Sequence, residues 1–213
     1  IKNLIFLGSS CIYPKFCKQP IKEKYLLNGK LEISNQAYAL AKISGIQMCS
    51  SYNFQYGLNY KCLMPTNTYG ENDNYELKTS HFYPAMIRKF FYAQKYKQKK
   101  ISLYGTGSPK RELMYVDDLA NACIYFLQKK TKETLINIGS GEEYTIRYYA
   151  NFLKKLISPN CEVFFDHKYP NGTPRKLLDI SLAKSYGWYP QVFLKEGTKK
   201  TINSFKLKYF KKI

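Results

Sequence analysis

The chain has 213 residues, and 45% of them are hydrophobic, enough to fill one domain core and a smaller lobe. It carries 34 Lys and Arg against 15 Asp and Glu, for a formal net charge of +19. This composition excludes a disordered chain, and no apolar run is long enough to predict a transmembrane helix, so no membrane partner is expected.

The positive charge is nearly all lysine, spread over many segments, which favours solvated surfaces over a dedicated polyanion site. No RNP, zinc-finger or helix-turn-helix signature is present, so we predict no nucleic-acid partner. The six cysteines lack CxxC spacing, which predicts reduced thiols and no metal site. The first segment has no signal-peptide pattern, so the cytoplasm is the default location.

The first predicted elements are two strands on either side of a long helix. Residues 2–8 form a continuous apolar run, typical of a buried parallel strand, and residues 13–35 predict a turn-rich loop. "NQAYALAKISGIQMCSSYNFQYG" has helical spacing and a capping position at Gly57. "NYKCLMP" predicts a second strand ending at Pro65, and "TNTYGENDN" a polar loop after it.

The second half continues the alternation. A helix is predicted near residues 83–96, and short strands at "KISLYGTG", "TLINIGSG" and "CEVFFD". Further helices are predicted at "VDDLANACIYFLQKK", "TIRYYANFLKKLI", "SLAKSYGW" and "LKEGTKKTINSFKLKYF". Alternating strands and helices predict an α/β protein with a mostly parallel sheet in its first part and a smaller lobe from about Thr68.

Two short motifs carry the candidate chemistry: "SSCIY" after the first strand and "YALAK" in the following helix. Tyr38 and Lys42 are four residues apart, so they lie on one helix face about one turn apart. An ammonium group beside a phenol stabilises the phenolate, which favours a proton-transfer role for the tyrosine. If the tyrosine protonates the carbonyl oxygen of a substrate, a serine at the strand end can hydrogen-bond that same oxygen. Taken alone, YxxxK is weak in a chain with 21 tyrosines, and an ordinary amphipathic helix is the alternative.

The combination resembles the extended short-chain dehydrogenase/reductase superfamily, through Ser9, Tyr38 and Lys42, and within it the GDP-L-fucose synthase family. The narrower resemblance is carried by Cys11 in "SSCIYPK", His81 in "SHFYP", and "GTPRKLLD". It also runs through "YNFQYG", "MPTNTYG", "GTGSPKRELMYVDDLA" and "INIGSG".

The resemblance implies a doubly wound Rossmann-like sheet whose C-terminal part spans residues 1–67. Residues 68–213 would then be mainly a substrate-binding lobe, with about residues 112–140 returning to the Rossmann domain. It further implies an enzyme that uses NADP(H) and acts on GDP-4-keto-6-deoxy-D-mannose. It also implies a homodimer formed through the helix that carries Tyr38.

The same resemblance implies roles for individual residues. Cys11 and His81 match the acid/base pair that epimerises C3 and C5, which are acidified by the 4-keto group. Tyr38 would protonate the reduced ketone, Lys42 would hold the ribose, and Ser9 would orient the carbonyl. The positions implied to lie along the cofactor are Leu7, Gly8, Ser9, Ser10, Tyr38, Lys42, Pro65, Thr66, Asn67, Thr68 and His81.

Lys89, Tyr104, Arg111 and Asn171 match the positions that bind the GDP-sugar. Two of them depart from the family pattern. Tyr104 replaces a tryptophan, which keeps an aromatic surface. Asn171 replaces an aspartate, which removes a charge and weakens that assignment.

The glycine-rich turn that opens a dinucleotide-binding fold does not occur, since "GTGSPK" and "GSGEEY" come late and lack its spacing. At ~30 residues per strand-helix unit, we expect on the order of 100 residues to be missing in front, and the chain alone to bind NADPH poorly. Two alternatives stay open: another nucleotide-sugar 4-epimerase or dehydratase, and a non-catalytic remnant that only dimerises or binds nucleotide-sugar.

Overall fold

The structure, a computed structural model, describes residues 1–210, and these form two compact units. Unit 1 comprises residues 1–68, 112–142 and 176–193, and unit 2 comprises residues 69–111, 143–175 and the segment from Leu194 onward. The chain has the predicted α/β class, and its strands and helices alternate. The functional division into a cofactor domain and a substrate lobe stays a prediction.

The core of unit 1 is a three-stranded parallel sheet formed, in this spatial order, by residues 3–7, 59–65 and 135–138. Its strands and helices are β1 (Asn3–Leu7), α1 (Gln36–Tyr56), β2 (Asn59–Pro65), α3 (Val116–Gln128), β6 (Leu135–Ile138) and α5 (Ser181–Ser185). These confirm the predicted strands at "NLIFLG", "NYKCLMP" and "TLINIGSG" and the long helix that Gly57 caps in the left-handed conformation.

Helices cover both faces of this sheet because successive side chains of β2 point to opposite sides. Cys62 and Met64 pack with Ile43 and Ile46 of α1 in one buried cluster. Leu63, between them in sequence, packs with Ala122 and Phe126 of α3 in the other. Both faces of a doubly wound sheet are therefore buried, as the continuous apolar strands require.

Unit 2 contains a second, two-stranded parallel sheet and three helices. Its elements are α2 (Phe82–Lys95), β4 (Lys100–Tyr104), β7 (Glu143–Thr145), α4 (Ile146–Ile157), β8 (Glu162–Asp166) and α6 (Leu194–Lys208). Its core is aromatic: Phe91 stacks on Phe205 at 4.8 Å, and Tyr83 meets Tyr149 edge to face at 5.6 Å.

A third sheet contains β3 (Asn67–Tyr69), β5 (Lys110–Tyr115) and β7 in that order. A two-residue strand, β9 (Arg175–Lys176), also pairs with β5. The sequence did not predict β3, β5, β7 or β9, and the polar loop expected at "TNTYGENDN" is wrong at its start. These strands have two to six residues, and the first three residues of β5 are charged, so β5 does not show the continuous apolar run of a buried strand.

Across residues 1–210, no helix combines the length and apolar character needed to cross a bilayer. All six cysteines carry free thiols. No cluster of three or more His, Cys, Asp and Glu side chains in this range could hold a metal ion.

Candidate active site

The two segments expected to lie along a cofactor follow neighbouring strands of unit 1. Leu7, Gly8, Ser9 and Ser10 come at the end of β1, and Pro65, Thr66, Asn67 and Thr68 at the end of β2. Because β1 and β2 are parallel partners, with Leu7 opposite Leu63, both segments leave the sheet at one edge. In doubly wound sheets this carboxyl edge is where ligands bind.

Close packing explains the glycine at the turn after β1. The Gly8 N–H donates to the Leu63 carbonyl at 2.9 Å, and a side chain at Gly8 would overlap Met64. On the second segment, Thr66 is buried and its hydroxyl donates to the Glu112 carbonyl at 3.4 Å. The edge is therefore held rigidly by hydrogen bonds within unit 1.

Tyr38 and Lys42 lie on one exposed face of α1, as their spacing predicts. The Lys42 ammonium is 5.8 Å from the centre of the Tyr38 ring and 5.1 Å from that of Phe6. It donates to the Leu7 carbonyl at 2.9 Å, which ties the helix to the end of β1. An ammonium has three donors, so Lys42 keeps hydrogen-bonding capacity for a ligand.

Cys11 lies two residues after Ser9 in a short 3₁₀ turn, where the Ser9 hydroxyl accepts the Cys11 N–H at 3.2 Å. The Lys176 ammonium donates to the Cys11 sulfur at 3.2 Å. Burial raises the pKa of the Cys11 thiol, but the Lys176 charge and hydrogen bonds with Ser9, Lys176 and Asn35 outweigh it. The net pKa lies below its ordinary value, so Cys11 forms a thiolate more readily than an isolated cysteine.

Lys176 is a candidate site residue that the sequence did not single out. It is part of "GTPRKLLD", which marked the family, but it lies 165 residues from Cys11 in sequence. No local spacing could pair the two residues. The sequence indicated only that Lys176 belongs to the "GTPRKLLD" motif, and not which side chain it contacts.

His81 lies in unit 2, immediately before α2, and its carbonyl accepts the Ala85 N–H at 3.1 Å. The nearby Asp73 carboxyl is half-buried. Burial raises the pKa of Asp73, opposed by a hydrogen bond from Asn74 and by the proximity of His81. His81 therefore has an acidic neighbour within its own unit.

Four residues expected to bind the GDP-sugar also lie in unit 2, around the end of β4. The Lys89 ammonium donates to the Ser102 carbonyl at 2.8 Å and lies 5.2 Å from the centre of the Tyr104 ring. Tyr104 is 63% exposed and stacks on Tyr169 at 3.9 Å. A cleft of about 280 Å³ beside Lys89 is also lined by Tyr92.

Asn171 holds the turn that follows Tyr104. Its side-chain oxygen accepts the Thr106 N–H at 2.7 Å and the Thr106 hydroxyl at 2.9 Å. The next residue, Gly172, has a positive φ of 68° and lies beside the Arg111 guanidinium. Burial lowers the pKa of Lys89 and of Arg111, as expected of cations held out of full solvation.

Known proteins resemble the chain over nearly its whole length. It is 46% identical to GDP-L-fucose synthase 1 of Arabidopsis thaliana, covering 94% of this chain and 62% of the relative. It is 43% identical to the GDP-L-fucose synthase of Escherichia coli K12, covering 96% of this chain and 67% of the relative. A solved structure of a GDP-L-fucose synthetase from Naegleria fowleri, bound to NADP, superposes with a TM-score of 0.89. That structure is 25% identical, with 98% of this chain and 67% of the other covered.

The chain thus spans less than two thirds of the length of the Arabidopsis relative. The model of the NAD dependent epimerase/dehydratase family matches residues 1–139, which include Ser9, Cys11, Tyr38, Lys42 and His81. On this match, together with the parallel sheet and its polar edge, the chain belongs to the NAD dependent epimerase/dehydratase family.

Proposed function

We propose that the protein is a GDP-L-fucose synthase, which epimerises C3 and C5 of GDP-4-keto-6-deoxy-D-mannose and then reduces C4 with NADPH. One observation carries the proposal: a thiol whose pKa is lowered by Lys176 lies two residues from the serine at the catalytic edge of the sheet. A pure 4-epimerase needs no such additional base. The relatives in Arabidopsis and Escherichia coli are named GDP-L-fucose synthases, which supports the same product.

The epimerase half of the reaction needs a base and an acid. The 4-keto group acidifies the protons on C3 and C5, and the Cys11 thiolate is suited to remove such a proton because Lys176 stabilises its charge. His81 is assigned the proton returned to the opposite face. Ser9, through its hydroxyl proton, would stabilise the enolate oxygen at C4.

The reductase half is assigned to Tyr38 and Lys42. Tyr38 would donate the proton to the C4 oxygen, and Lys42, beside its ring, would favour the charge left on the phenol. When bound, NADPH supplies the hydride to C4. Ser9 would orient the C4 ketone in both halves of the reaction, so the same hydrogen bond would assist epimerisation and reduction.

The residues at the sheet edge fit such a cofactor. Lys42 retains hydrogen-bond donors for ribose hydroxyls. Leu7 and Tyr38, which contact Lys42, are 40% and 46% exposed and are therefore accessible to a ligand. Gly8 to Ser10 and Pro65 to Thr68 would line the nicotinamide side. His81 is included on the basis of the family resemblance.

In unit 2, charge and stacking suit a guanosine diphosphate. Lys89 and Arg111 would bind the phosphates, and Tyr104, which stacks on Tyr169 and is 63% exposed, would supply aromatic surface for the base. Asn171 is engaged with Thr106, so we assign it the shape of this turn and not a charged contact.

The test uses the chain as it stands and a second form joined to the part of the Arabidopsis relative that it does not cover. With GDP-4-keto-6-deoxy-D-mannose in D₂O, mass spectrometry follows deuterium entering C3 and C5, and absorbance follows NADPH oxidation. We expect both in the joined form. If the joined form folds and binds GDP but shows neither, the proposal is wrong, and the remnant alternative is favoured.

Two variants separate the halves of the reaction. Cys11→Ser should slow deuterium exchange at least 100-fold, because a serine hydroxyl is a far weaker base than a thiolate. Tyr38→Phe should leave exchange intact and lower reduction at least 100-fold. Reduction without exchange in the unmodified joined form would favour a 4-reductase of another nucleotide-sugar.

A homodimer through α1 is part of the proposal. Leu40, Met48 and Tyr52 recur at multiples of four residues and are 46–61% exposed, which makes an apolar stripe along the helix. Met48→Lys should convert a dimer to a monomer in light scattering, whereas Ile124→Lys on α3 should not.

The six free thiols favour a reducing compartment, and we propose the cytoplasm.

A further inference from the structure

The carboxylate of Glu112 is completely buried in unit 1 and joins two segments that are far apart in sequence. One oxygen accepts the Gly141 N–H at 2.8 Å, and the other accepts the Leu178 N–H at 3.0 Å. The backbone at Gly139 approaches the carboxylate so closely that a Cβ would overlap it. A buried carboxylate in such a position needs a reason, because burial of the charged form is costly.

The Leu178 contact matters because of what the neighbouring backbone carries. Residues 176–179 form a short extended segment, and its first residue, Lys176, donates to the Cys11 sulfur at 3.2 Å. Leu178 is two residues later and 2% exposed. Holding the backbone at Leu178 therefore fixes the base of the side chain that reaches Cys11.

The opposite side of this segment is held by the loop that follows Cys11. The Leu177 carbonyl accepts the Ile21 N–H at 2.7 Å, the Asp179 N–H donates to the Ile21 carbonyl at 2.8 Å, and Gln19 accepts the Leu177 N–H at 2.9 Å. The segment thus lies between the Cys11 loop and the Glu112 carboxylate. Pairing of β9 with β5 and the Asn137 amide, which donates to the Asp179 carbonyl at 3.3 Å, add to these contacts. Glu112 is the side chain that holds the backbone N–H of Leu178.

We propose that Glu112 is a positioning residue for the acid/base chemistry of Cys11. Its buried carboxylate holds residues 176–179 so that the Lys176 ammonium stays on the thiol. Glu112 does not contact the thiol itself, which is bound by Ser9, Asn35 and Lys176. It acts through Lys176, and the proposal gives it no contact with the substrate. The inference deepens the proposed function and rests on it for the role of Cys11.

The test measures Cys11 directly and needs neither GDP-sugar nor NADPH. Alkylation by iodoacetamide is followed from pH 5 to 10, and Cys11 is resolved by mass spectrometry in the tryptic peptide of residues 3–15. Cys123 of α3, in a separate peptide, reports any general opening of unit 1. The midpoint of the pH profile gives the apparent pKa of the Cys11 thiol.

Four chains form a cycle: the unmodified chain, Glu112→Gln, Lys176→Met and the double variant. Lys176→Met should slow Cys11 alkylation at pH 7 at least threefold, because the thiolate loses the ammonium group that stabilises its charge. Glu112→Gln should slow it at least threefold, because an amide cannot accept both N–H groups. In the Lys176→Met background, Glu112→Gln should add nothing, since its effect passes through Lys176.

Two results would overturn the proposal. Unchanged Cys11 alkylation in Glu112→Gln would show that the carboxylate does not position Lys176. Equal slowing in both backgrounds would show an effect that bypasses Lys176. Glu133→Gln is the matched control, because its carboxylate accepts the Tyr186 hydroxyl elsewhere in unit 1, and it should leave Cys11 unaffected.

If Glu112→Gln does not fold by circular dichroism, Glu112→Asp takes its place in the cycle. It keeps the charge, but it is too short to span the two N–H groups, so the same slowing and the same non-additivity are expected. If alkylation changes as described while the joined form shows no turnover, the proposed function fails and the contact that positions Lys176 stands. If turnover is normal and alkylation is unchanged, only the positioning role fails.

Discussion

Gly139, immediately after β6, and Glu112 of β5 illustrate how two residues that are distant in sequence constrain each other. Gly139 has an ordinary φ, so it is not required by backbone conformation. It is required by space, because the Glu112 carboxylate lies where a side chain would begin. Since that carboxylate is held by two N–H groups, it cannot move aside without losing hydrogen bonds.

Gly139→Ala should therefore lower the free energy of unfolding of unit 1 by about 1–3 kcal/mol, the usual cost of overpacking. Trp188, the one tryptophan of the chain, lies in unit 1, so its fluorescence during denaturation with urea gives the measurement. Gly57→Ala is the control. Its φ of 61° is strained for alanine but the space is open, so a smaller cost of about 1 kcal/mol is expected. Equal costs would argue against the close contact.

The free energy of unfolding of unit 1 should depend on pH through Glu112. Burial raises the pKa of Glu112 from its ordinary 4.5 to about 7, although hydrogen bonds from Leu178 and Gly141 oppose the rise. Between these values the folded chain binds a proton that the unfolded chain has released. Stability contributed by the protonated group is thus present in full below pH 4.5 and is lost as pH rises through 7.

In Glu112→Gln this loss cannot occur. The difference in unfolding free energy between the unmodified chain and the variant should therefore fall by on the order of 3 kcal/mol from pH 4.5 to 8. Trp188 fluorescence in urea at several pH values measures it. Parallel pH curves for the unmodified chain and Glu112→Gln would contradict the raised pKa.

At the scale of elements, helix α4 depends on a capping hydroxyl. Thr145 precedes its first residue, and the Thr145 hydroxyl accepts the Tyr148 N–H at 3.0 Å. Lys154 and Lys155 occupy its last turn, where positive charge stabilises the helix dipole. The packing of α4 on α2 then builds much of the aromatic core of unit 2.

Thr145→Ala should lower the free energy of unfolding of unit 2 by about 1 kcal/mol, since the Tyr148 N–H loses its acceptor. Thermal unfolding followed by circular dichroism measures the change. Ser44→Ala is matched, because it also removes a helix hydroxyl, but Ser44 only donates back to the Leu40 carbonyl within α1. That control should shift stability by less than about 0.5 kcal/mol. A comparable loss in both would contradict the capping role.

The secondary-structure elements differ in how far they can be predicted from the sequence. Long elements such as α1 and β2 were predicted because periodicity and Gly57 mark them locally. The short strands β3, β7 and β9 were not, because two or three residues carry no periodicity, and their pairing depends on distant partners. Tyr38 and Lys42 were found by spacing. The contacts of Lys176 with Cys11 and of Glu112 with Leu178 join residues 165 and 66 positions apart, so only a folded chain reveals them.

For the whole molecule, the dominant physical property is the net charge of +19. Such a field attracts anions toward any cleft, and it acts before specific contacts form. In unit 2 it adds to the local charges of Lys89 and Arg111, which are half-buried and therefore less screened than surface lysines. A nucleoside diphosphate should thus be bound partly by long-range attraction and partly by stacking on Tyr104.

These two contributions can be separated by salt. Raising NaCl from about 0.1 M to 1 M shortens the screening length from about 10 Å to 3 Å, which removes the long-range part. We expect the dissociation constant of GDP, measured by calorimetry, to rise at least threefold, while that of uncharged guanosine changes little. Lys89→Gln should weaken GDP binding and reduce its salt dependence. Tyr104→Ala should weaken both ligands and leave the salt dependence of GDP intact. If GDP proved as insensitive to salt as guanosine, the lysine-rich surface would have no part in capturing the nucleotide, and the charge would serve solvation alone.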